Sequence, residues 1–487
     1  MNAAHAQLER IFNPRSLAVV GVSAQGFGFG RGILHALHAI GFEGALHAVN
    51  PKGGEMLGFP IHKSIADIPG PLDFAIIALP ANLVPEALGQ CLEKGAAGAE
   101  ILSAGFRELG TDEGAALEEA VRAVAARGLR VIGPNCFGVY APKSGLTMLP
   151  GPDLSREPGP VAFISQSGGM AIDLCHAGRW KGIRFSKVVS FGNGADLRET
   201  ELLDYLRTDD ETGVIGVYAE GVGDGRKFIE TLRRTAAVKP VVLYKGGLSE
   251  AGGRAVASHT ASMGGSGVIW ESALRQCNAC QVQSLEELAD TCLAFSLLPA
   301  RPLRGLAIVG GGGALGVAAA DAAESYGLVM PPFDAALQEK ILPLLPRPGS
   351  SAGNPVDVAN PFVPPDAIQG ILSHAGSDPR VDILILVQLL YHFKSLVPMM
   401  GAQSLMDIVP VEQFANAAAA AAACTGKPVV AVLPNHKREP ESMDIENVMR
   451  AARAAYLARG IPVYDDLISA MKAIGHVTRY YSRKEAR

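Results

Sequence analysis

The sequence predicts an α/β protein made of three consecutive, mainly parallel sheets covered by helices. Three observations carry this expectation. Short aliphatic runs alternate with longer Ala/Leu-rich amphipathic stretches almost throughout, and a hydrophobic period that switches from continuous to 3.6 marks βαβ units. Pro/Gly-rich breaks interrupt the alternation twice, at 141–160 and 299–304. The length, 487 residues, accommodates about three domains at roughly 100–200 residues each.

In the first unit, strands are expected at 17–21, 46–50, 73–80, 98–103 and 129–133, with helices over 84–94 and 114–127. The segment 141–160 reads as a linker. The pattern restarts with strands at 160–165, 185–191, 213–220 and 240–245. A helical stretch is expected over 270–280, and the helix 284–298 leads to the second break. The third unit opens with a strand at 305–309 and continues through 381–389, 428–434 and 461–464. Ligands of such sheets sit beyond the C-terminal strand ends, so the residues just after strands lead the search for function.

Composition excludes several classes. Glycine supplies 56 of the 487 residues and aromatics only 6%, which describes aliphatic cores and many tight turns. The 43 basic and 48 acidic residues leave a net charge of −5 with no block of one sign, so no nucleic-acid partner is expected. The longest apolar runs, 382–390 and 429–433, fall far short of the ~20 residues a membrane helix needs. The first ten residues hold His5, Glu9 and Arg10 without an apolar core, so no secretory leader is expected. Seven scattered cysteines, an odd number, favour a reducing compartment, and the cytoplasm is the expected location.

The glycine excess concentrates after strands. In the first turn, Gly21, Ser23, Gly26, Gly28, Gly30 and Gly32 lead from a strand into a helix, where backbone can approach a phosphate and helix-terminal N–H groups are unpaired. No placement of G-x-G-x-x-G fits, and the second strand ends in Asn50-Pro51-Lys52, where an acid would normally hold a ribose. A phosphate-bearing ligand other than NAD fits best; NAD and a plain structural turn are the alternatives. The second turn, Ser165-Gln166-Ser167-Gly168-Gly169, puts hydroxyls and glycines at a helix start, either as an anion nest or as ordinary capping. Glu220 closes the strand 213–220, as a functional carboxylate or as a solvated turn acid. His259 is expected in a long loop of small residues, where a neutral imidazole can attack phosphorus or can simply be exposed. Gly311 and Gly312 belong to a third helix-start nest, for which phosphate is the expected ligand.

Other chemistries lack their patterns. Gly426-Lys427 has neither the following hydroxyl nor the upstream glycines of a Walker A loop, and there is no H-E-x-x-H or G-x-S-x-G segment. Cys277 and Cys280 have no second ligand pair nearby, so no metal site is expected. Cys136 follows a strand without an evident histidine partner.

Taken together, the segments resemble the α subunit of NDP-forming acyl-CoA synthetases, the superfamily of ADP-forming acetyl-CoA synthetase and succinyl-CoA synthetase. The resemblance runs from about residue 11 to 479. It rests on the first glycine turn with Asn50-Pro51-Lys52, on Ser103-Ala-Gly-Phe-Arg-Glu108 and on Gly133-Pro-Asn-Cys-Phe-Gly138. Ser165-Gln-Ser-Gly-Gly169, Ser190-Phe-Gly-Asn-Gly194, Ser258-His-Thr260 and Gly353-Asn-Pro-Val-Asp357 complete it. Ala261 stands where the family usually has glycine, and Gly310 where related chains often have asparagine.

The resemblance implies a Rossmann-like CoA-binding domain over 1–142, then two flavodoxin-like succinyl-CoA ligase-type domains, one over 155–298 with a phosphohistidine loop and one over 301–487. It places CoA against Gly21, Ser23 and Gly26, with Lys52 facing phosphate and Pro80, Asn135 and Cys136 along the groove toward the thiol. His259 matches the phosphorylated histidine and Glu220 the carboxylate that orients it. Ser165, Ser167, Gly168 and Gly169 match the helix start that cradles the phosphoryl group. The implied reaction joins a carboxylic acid to CoA at the expense of NTP, through phosphohistidine and an acyl phosphate. ATP/ADP or GTP/GDP with Mg2+ is handled in this family by an ATP-grasp domain, for which three α/β units leave no room. A separate ATP-grasp β subunit in a hetero-oligomer, α2β2, is therefore expected. The bulky residues Phe106, Phe137, Met170 and Phe191 are candidates for shaping the acyl pocket. The competing readings are a catalytically silent CoA-binding sensor or scaffold and an NAD-dependent dehydrogenase.

Overall fold

The run Ser16–Val20 is buried at all five positions, as a strand must be when helices cover both faces of its sheet. It is β1, a central strand of a seven-stranded sheet. The structure is a computed structural model describing residues 3–148, 154–260 and 267–486, without the side chains of residues 255 and 257–260. The other strands of this sheet are β2 (Ala45–Val49), β3 (Glu55–Met56), β4 (Phe59–His62), β5 (Phe74–Ile77), β6 (Gly98–Ile101) and β7 (Arg130–Ile132). Their order is β3-β4-β2-β1-β5-β6-β7, parallel except for the β3-β4 hairpin. With the short β3 set aside this is the Rossmann order, and its switch point falls between β1 and β5.

The second sheet contains β8 (Gly138–Tyr140), β9 (Pro158–Ser165), β10 (Phe185–Ser190), β11 (Val214–Ala219), β12 (Val241–Lys245) and β13 (Cys280–Val282), in the order β13-β12-β11-β9-β10-β8. Only β8 runs antiparallel, on the edge beside β10. The third sheet contains β14 (Leu306–Gly310), β15 (Val356–Asp357), β16 (Ile383–Val387), β17 (Val429–Val432) and β18 (Val463–Tyr464), all parallel, in the order β15-β14-β16-β17-β18. Both have the flavodoxin strand order, with switch points between β9 and β11 and between β14 and β16. The α/β fold class read from the sequence is therefore the one observed. The strands the sequence reading missed, β3, β4, β8, β13 and β15, have two to four residues, too few for a period to register. The stretch expected to be helical over 270–280 is helical over Gly267–Cys277, and Cys280 instead opens β13.

Residues Met1–Leu288 and Ala289–Arg487 form two compact units. In the first, the two sheets share a core in which Leu17, Ile132 and Val139 join Ile164, Val189, Leu202 and Val217. The opposite face of the first sheet closes over Val20, Ile77, Leu88, Ile101 and Val121. The second unit has its own core around Val309, Leu386, Ile371, Phe414 and Val448. None of the seven cysteines is in a disulfide. No described helix is long and apolar enough to cross a membrane.

Two turns fasten the first sheet to the second. Asn193 N donates to Pro134 O (3.0 Å) and Ala195 N to Gly133 O (2.9 Å). Beside them, Asp196 takes two bonds from the Arg130 guanidinium (2.8 and 3.1 Å) and a third from Val131 N (2.9 Å). Gly192 has φ +53°, and a Cβ there would lie 2.2 Å from Asn135 O and 2.3 Å from Pro134 O. Gly192→Ala is expected to destabilise the first unit by roughly 2–4 kcal/mol, through strain and overpacking combined. The Gly225→Ala control, at a helix start with open space around it, should stay within about 0.5 kcal/mol. Urea unfolding of the two variants tests the contrast, and equal midpoints would show that the two turns do not close the sheets.

Candidate functional site

The first glycine turn leaves β1 at the switch point. Gly21 has φ +102°, and a Cβ there would lie 2.3 Å from Ala78 O on the neighbouring strand end. A Cβ on Gly30 would in turn lie 2.5 Å from Gly21 O, so turn, strand and helix meet at backbone distance. Beyond this contact the turn opens: Gly26 and Gly28 have nothing within 4 Å of a Cβ position. The helix Phe29–Ile40 starts at Gly28 without a side-chain cap, and its first-turn N–H groups have no partner within the helix. These are the features of a diphosphate cradle, and CoA fits them. Ser23 and Lys52 sit on its rim: the Ser23 hydroxyl turns to Gln25 O, and Lys52 is exposed, its backbone held by Asn50 Oδ1 (3.0 Å). Pro80 is exposed at the end of β5, across the switch point.

The five residues after β7 lead from this cradle to the second sheet. Asn135, at φ +57°, is held by its N–H on Ser103 O (2.9 Å) and remains partly exposed. Phe137 N donates to Ser190 Oγ (3.2 Å), and Val139 N to Glu100 Oε2 (3.0 Å). Cys136 turns inward from this loop. Its thiol is buried and donates to Ile101 O (3.3 Å), and burial, then the Glu100 charge, push its pKa far up. It anchors the loop from below. Glu100 is also fully buried, and its Oε1 has no hydrogen-bond partner among the described residues. Burial drives its carboxyl well above the ordinary 4.5, against the opposing pull of the Val139 N–H. Glu108 shows the contrary balance. Burial alone would raise it, but bonds from Asn193 Nδ2 (2.6 Å) and from the N–H groups of Gly105 and Phe106 hold it below the usual range.

At the second switch point, β9 ends in Ser165 and the helix Gly168–Lys181 begins. Ser167 caps it, accepting from Met170 N (3.4 Å), while the buried Ser165 hydroxyl donates to Ser167 O (2.6 Å) and shapes the turn. The first-turn N–H groups at Gly168 and Gly169 are thereby aimed beyond the sheet edge. Glu220 ends β11 across the switch point and is only 6% exposed. Gln166 Oε1 accepts from the N–H groups of Glu220 (2.8 Å) and Gly221 (3.1 Å), so one side chain joins the two strand ends. Tyr218 Oη donates to Glu220 Oε1 (3.2 Å), and burial together with that carboxylate raises the phenol. Sequence reasoning missed Lys245, which ends β12 and is 3% exposed. Its ammonium donates to Glu220 O (2.7 Å) and Gly246 O and lies 5.2 Å from the Trp270 ring centroid. Burial lowers its pKa and the nearby Glu220 opposes this. A buried lysine one residue before a glycine run was the available signal.

The loop expected around His259 is corrected in part. Residues Glu250–Thr260 form a helix with Ser249 at its start, accepting from Gly252 N (3.0 Å), so the His259 backbone lies in a last helical turn. The His259 side chain and residues 261–266, Ala261 among them, lie outside the described residues. The third nest already holds a partner from the chain itself. Asp357 Oδ1 accepts from Gly312 N (3.3 Å), and a Cβ on Gly313 would come within 3.2 Å of its Oδ2. A carboxylate of the chain itself thus stands at this helix start, and Gly311 is buried near Leu389. Among the bulky residues, Phe106 and Phe191 are core, whereas Met170 and Phe137 stand at the site.

With this geometry in hand, comparison with known proteins is specific. Residues 15–142 match the CoA binding domain family, 158–295 the succinyl-CoA ligase like flavodoxin domain and 306–459 the ligase-CoA domain. The chain is 37% identical over 477 residues to acetate-CoA ligase [ADP-forming] I of Archaeoglobus fulgidus, covering 97% of this chain and 64% of that one. It therefore spans just under two thirds of that relative's length. It is 34% identical to acetate-CoA ligase [ADP-forming] I subunit alpha of Pyrococcus furiosus, covering 97% of both. The solved dinucleotide forming acetyl-coenzyme A synthetase 1 of Ca. Korarchaeum cryptofilum, in complex with phosphate and ADP, superposes with a TM-score of 0.82 at 31% identity, covering 98% of this chain and 97% of that one.

The buried Glu100 yields a pH test. The folded chain holds its proton more tightly than the unfolded chain does, so this group's contribution to stability falls as pH rises above about 4.5. Glu100→Gln removes that titration, and its stability relative to the parent should increase between pH 5 and pH 8 in guanidinium unfolding. A difference that does not change with pH would show that the carboxyl keeps its ordinary pKa when folded.

Proposed function

This chain belongs to the family of ADP-forming acetate-CoA ligase α subunits, and from that premise we propose that it is the α subunit of an NDP-forming acyl-CoA synthetase. The reaction is carboxylic acid + CoA + NTP ⇌ acyl-CoA + NDP + phosphate. The observation that carries this reading is the joining, within one compact unit, of two strand-end sites by the five residues 133–137. One is an open, uncapped glycine cradle after β1; the other is a capped helix start facing a buried carboxylate after β9. In this reading the domains fall at 1–142, 155–298 and 301–487.

His259 accepts the phosphoryl group from the nucleotide. Glu220 receives the imidazole N–H, which fixes the tautomer and stabilises the charge that forms on the ring. The phosphoryl group then passes to the acid, and the N–H groups of Gly168 and Gly169, with Ser167, stabilise the acyl phosphate beside them. The CoA thiol, reached past Pro80 and Asn135, displaces phosphate as a thiolate and forms the thioester. Gly21, Ser23, Gly26 and Lys52 hold the CoA phosphates. Lys245 and Gln166 keep the Glu220 turn in place against the strand ends.

The nucleotide, with Mg2+ to neutralise its phosphates, binds an ATP-grasp β subunit in an α2β2 assembly. The subunit name of the Pyrococcus relative supports a partner subunit. The odd number of scattered cysteines favours a reducing, cytoplasmic setting. An NAD dehydrogenase is disfavoured by the exposed Lys52 where a ribose acid would stand.

The test is phosphorylation of the chain purified with its partner, using labelled NTP, or acyl-CoA with labelled phosphate. Acid-labile, alkali-stable label is expected on the parent and none on His259→Ala. Glu220→Gln is expected to slow labelling about 10–100-fold, the range for removing a carboxylate behind a working histidine. Label retained in His259→Ala would overturn the assignment.

A further inference from the structure

We propose that Phe137 sets the size limit of the acyl group, so that the enzyme selects a short, unbranched monocarboxylic acid. This rests on the function proposed above, which requires the acyl carbon to be bonded in turn to the CoA sulfur and to a phosphoryl oxygen. That carbon must therefore sit between the end of the CoA groove, at Asn135, and the helix start at Ser167–Gly169. Phe137 lies two residues beyond Asn135, and a Cβ on Gly168 would come within 2.9–3.2 Å of three atoms of its ring. The ring thus covers the first residue of the helix and fills room that an acyl chain would otherwise use. It is 38% exposed, whereas Phe106 and Phe191 are sealed in the core.

The ring is a wall and not a lid, because its loop is held at successive residues. Pro134 O accepts from Asn193 N, Asn135 N bonds Ser103 O, Cys136 Sγ bonds Ile101 O, Phe137 N bonds Ser190 Oγ and Val139 N bonds Glu100. The wall is also apolar. On the adjoining turn after β10, the Arg198 guanidinium is taken up by Asn193 O (3.2 Å) and Glu199 (3.3 Å), so it does not offer itself to a second substrate carboxylate.

The experiment compares kcat/KM of the parent, Phe137→Ala and Phe137→Trp for acetate, propionate, isobutyrate and succinate, each purified with its partner subunit. The parent should prefer acetate and propionate over isobutyrate and succinate. Phe137→Ala should raise the isobutyrate-to-acetate ratio about tenfold or more, the discrimination one or two methyl groups carry in a pocket. Phe137→Trp should lower the propionate-to-acetate ratio. Ratios that stay within about twofold in both variants, or a parent that prefers isobutyrate or succinate, overturn the proposal. Equal loss for every acid in Phe137→Ala also overturns it, since the ring would then position and not select. A parent that forms acyl-CoA from no acid and takes no phosphoryl label overturns the underlying function, a result distinct from unchanged ratios in an active enzyme.

Discussion

The site depends on a backbone clasp between two turns. Pro134 and Gly133, after β7, accept hydrogen bonds from Asn193 and Ala195, after β10. Because each turn leaves the C-terminal edge of its own parallel sheet, the clasp brings two such edges together within one unit. Parallel sheets concentrate helix starts and open turns at that edge. Fastening two edges therefore places two glycine-rich helix starts within reach of one loop, which neither sheet could do alone. Gly192 is what allows the approach, since any side chain there would strike carbonyl oxygens.

Buried charge around the clasp is distributed unequally. Glu108 and Glu118 share the Asn193 amide, and Glu118 takes the Arg122 guanidinium as well (2.9 Å); the bonds to Glu108 hold that carboxyl below its usual range. Glu100, one strand away, receives only a backbone N–H and is pushed toward its neutral form. Lys245 supports Glu220 in a third way, through backbone carbonyls that anchor the turn, with the nearby carboxylate favouring its charge. Each arrangement stiffens a loop that carries a site residue, and each does so with a different electrostatic cost.

Much of this was legible in the sequence. Long aliphatic strands, glycine turns and their order identify the fold class and the family, because periodicity and φ > 0 positions are local properties. The helix Glu250–Thr260 was not, since Gly252, Gly253, Ser258 and Thr260 all have weak helix propensity, and the capping Ser249 and the buried Val256 decide it. The inward turn of Cys136 and the reach of Asp357 were not legible for a related reason. Which way a thiol turns, and which carboxylate reaches a helix start 45 residues away, are settled by packing. Gln166 and Lys245 are polar residues at strand ends whose work becomes visible only once β9, β11 and β12 lie side by side.

The small antiparallel strand β8 bears on how such a protein can be rearranged. Composition marks a seam at 141–160, yet by Gly138 the chain has already joined the second sheet, where Val139 pairs with Val189. A fragment cut within that seam would carry β8 away and leave β10 as a bare edge. Any recombination or gene fusion that moves the first sheet intact must then either break the chain before residue 133 or bring the second sheet with it. The two sheets are separate in architecture, yet a cut at the compositional seam parts β8 from β10.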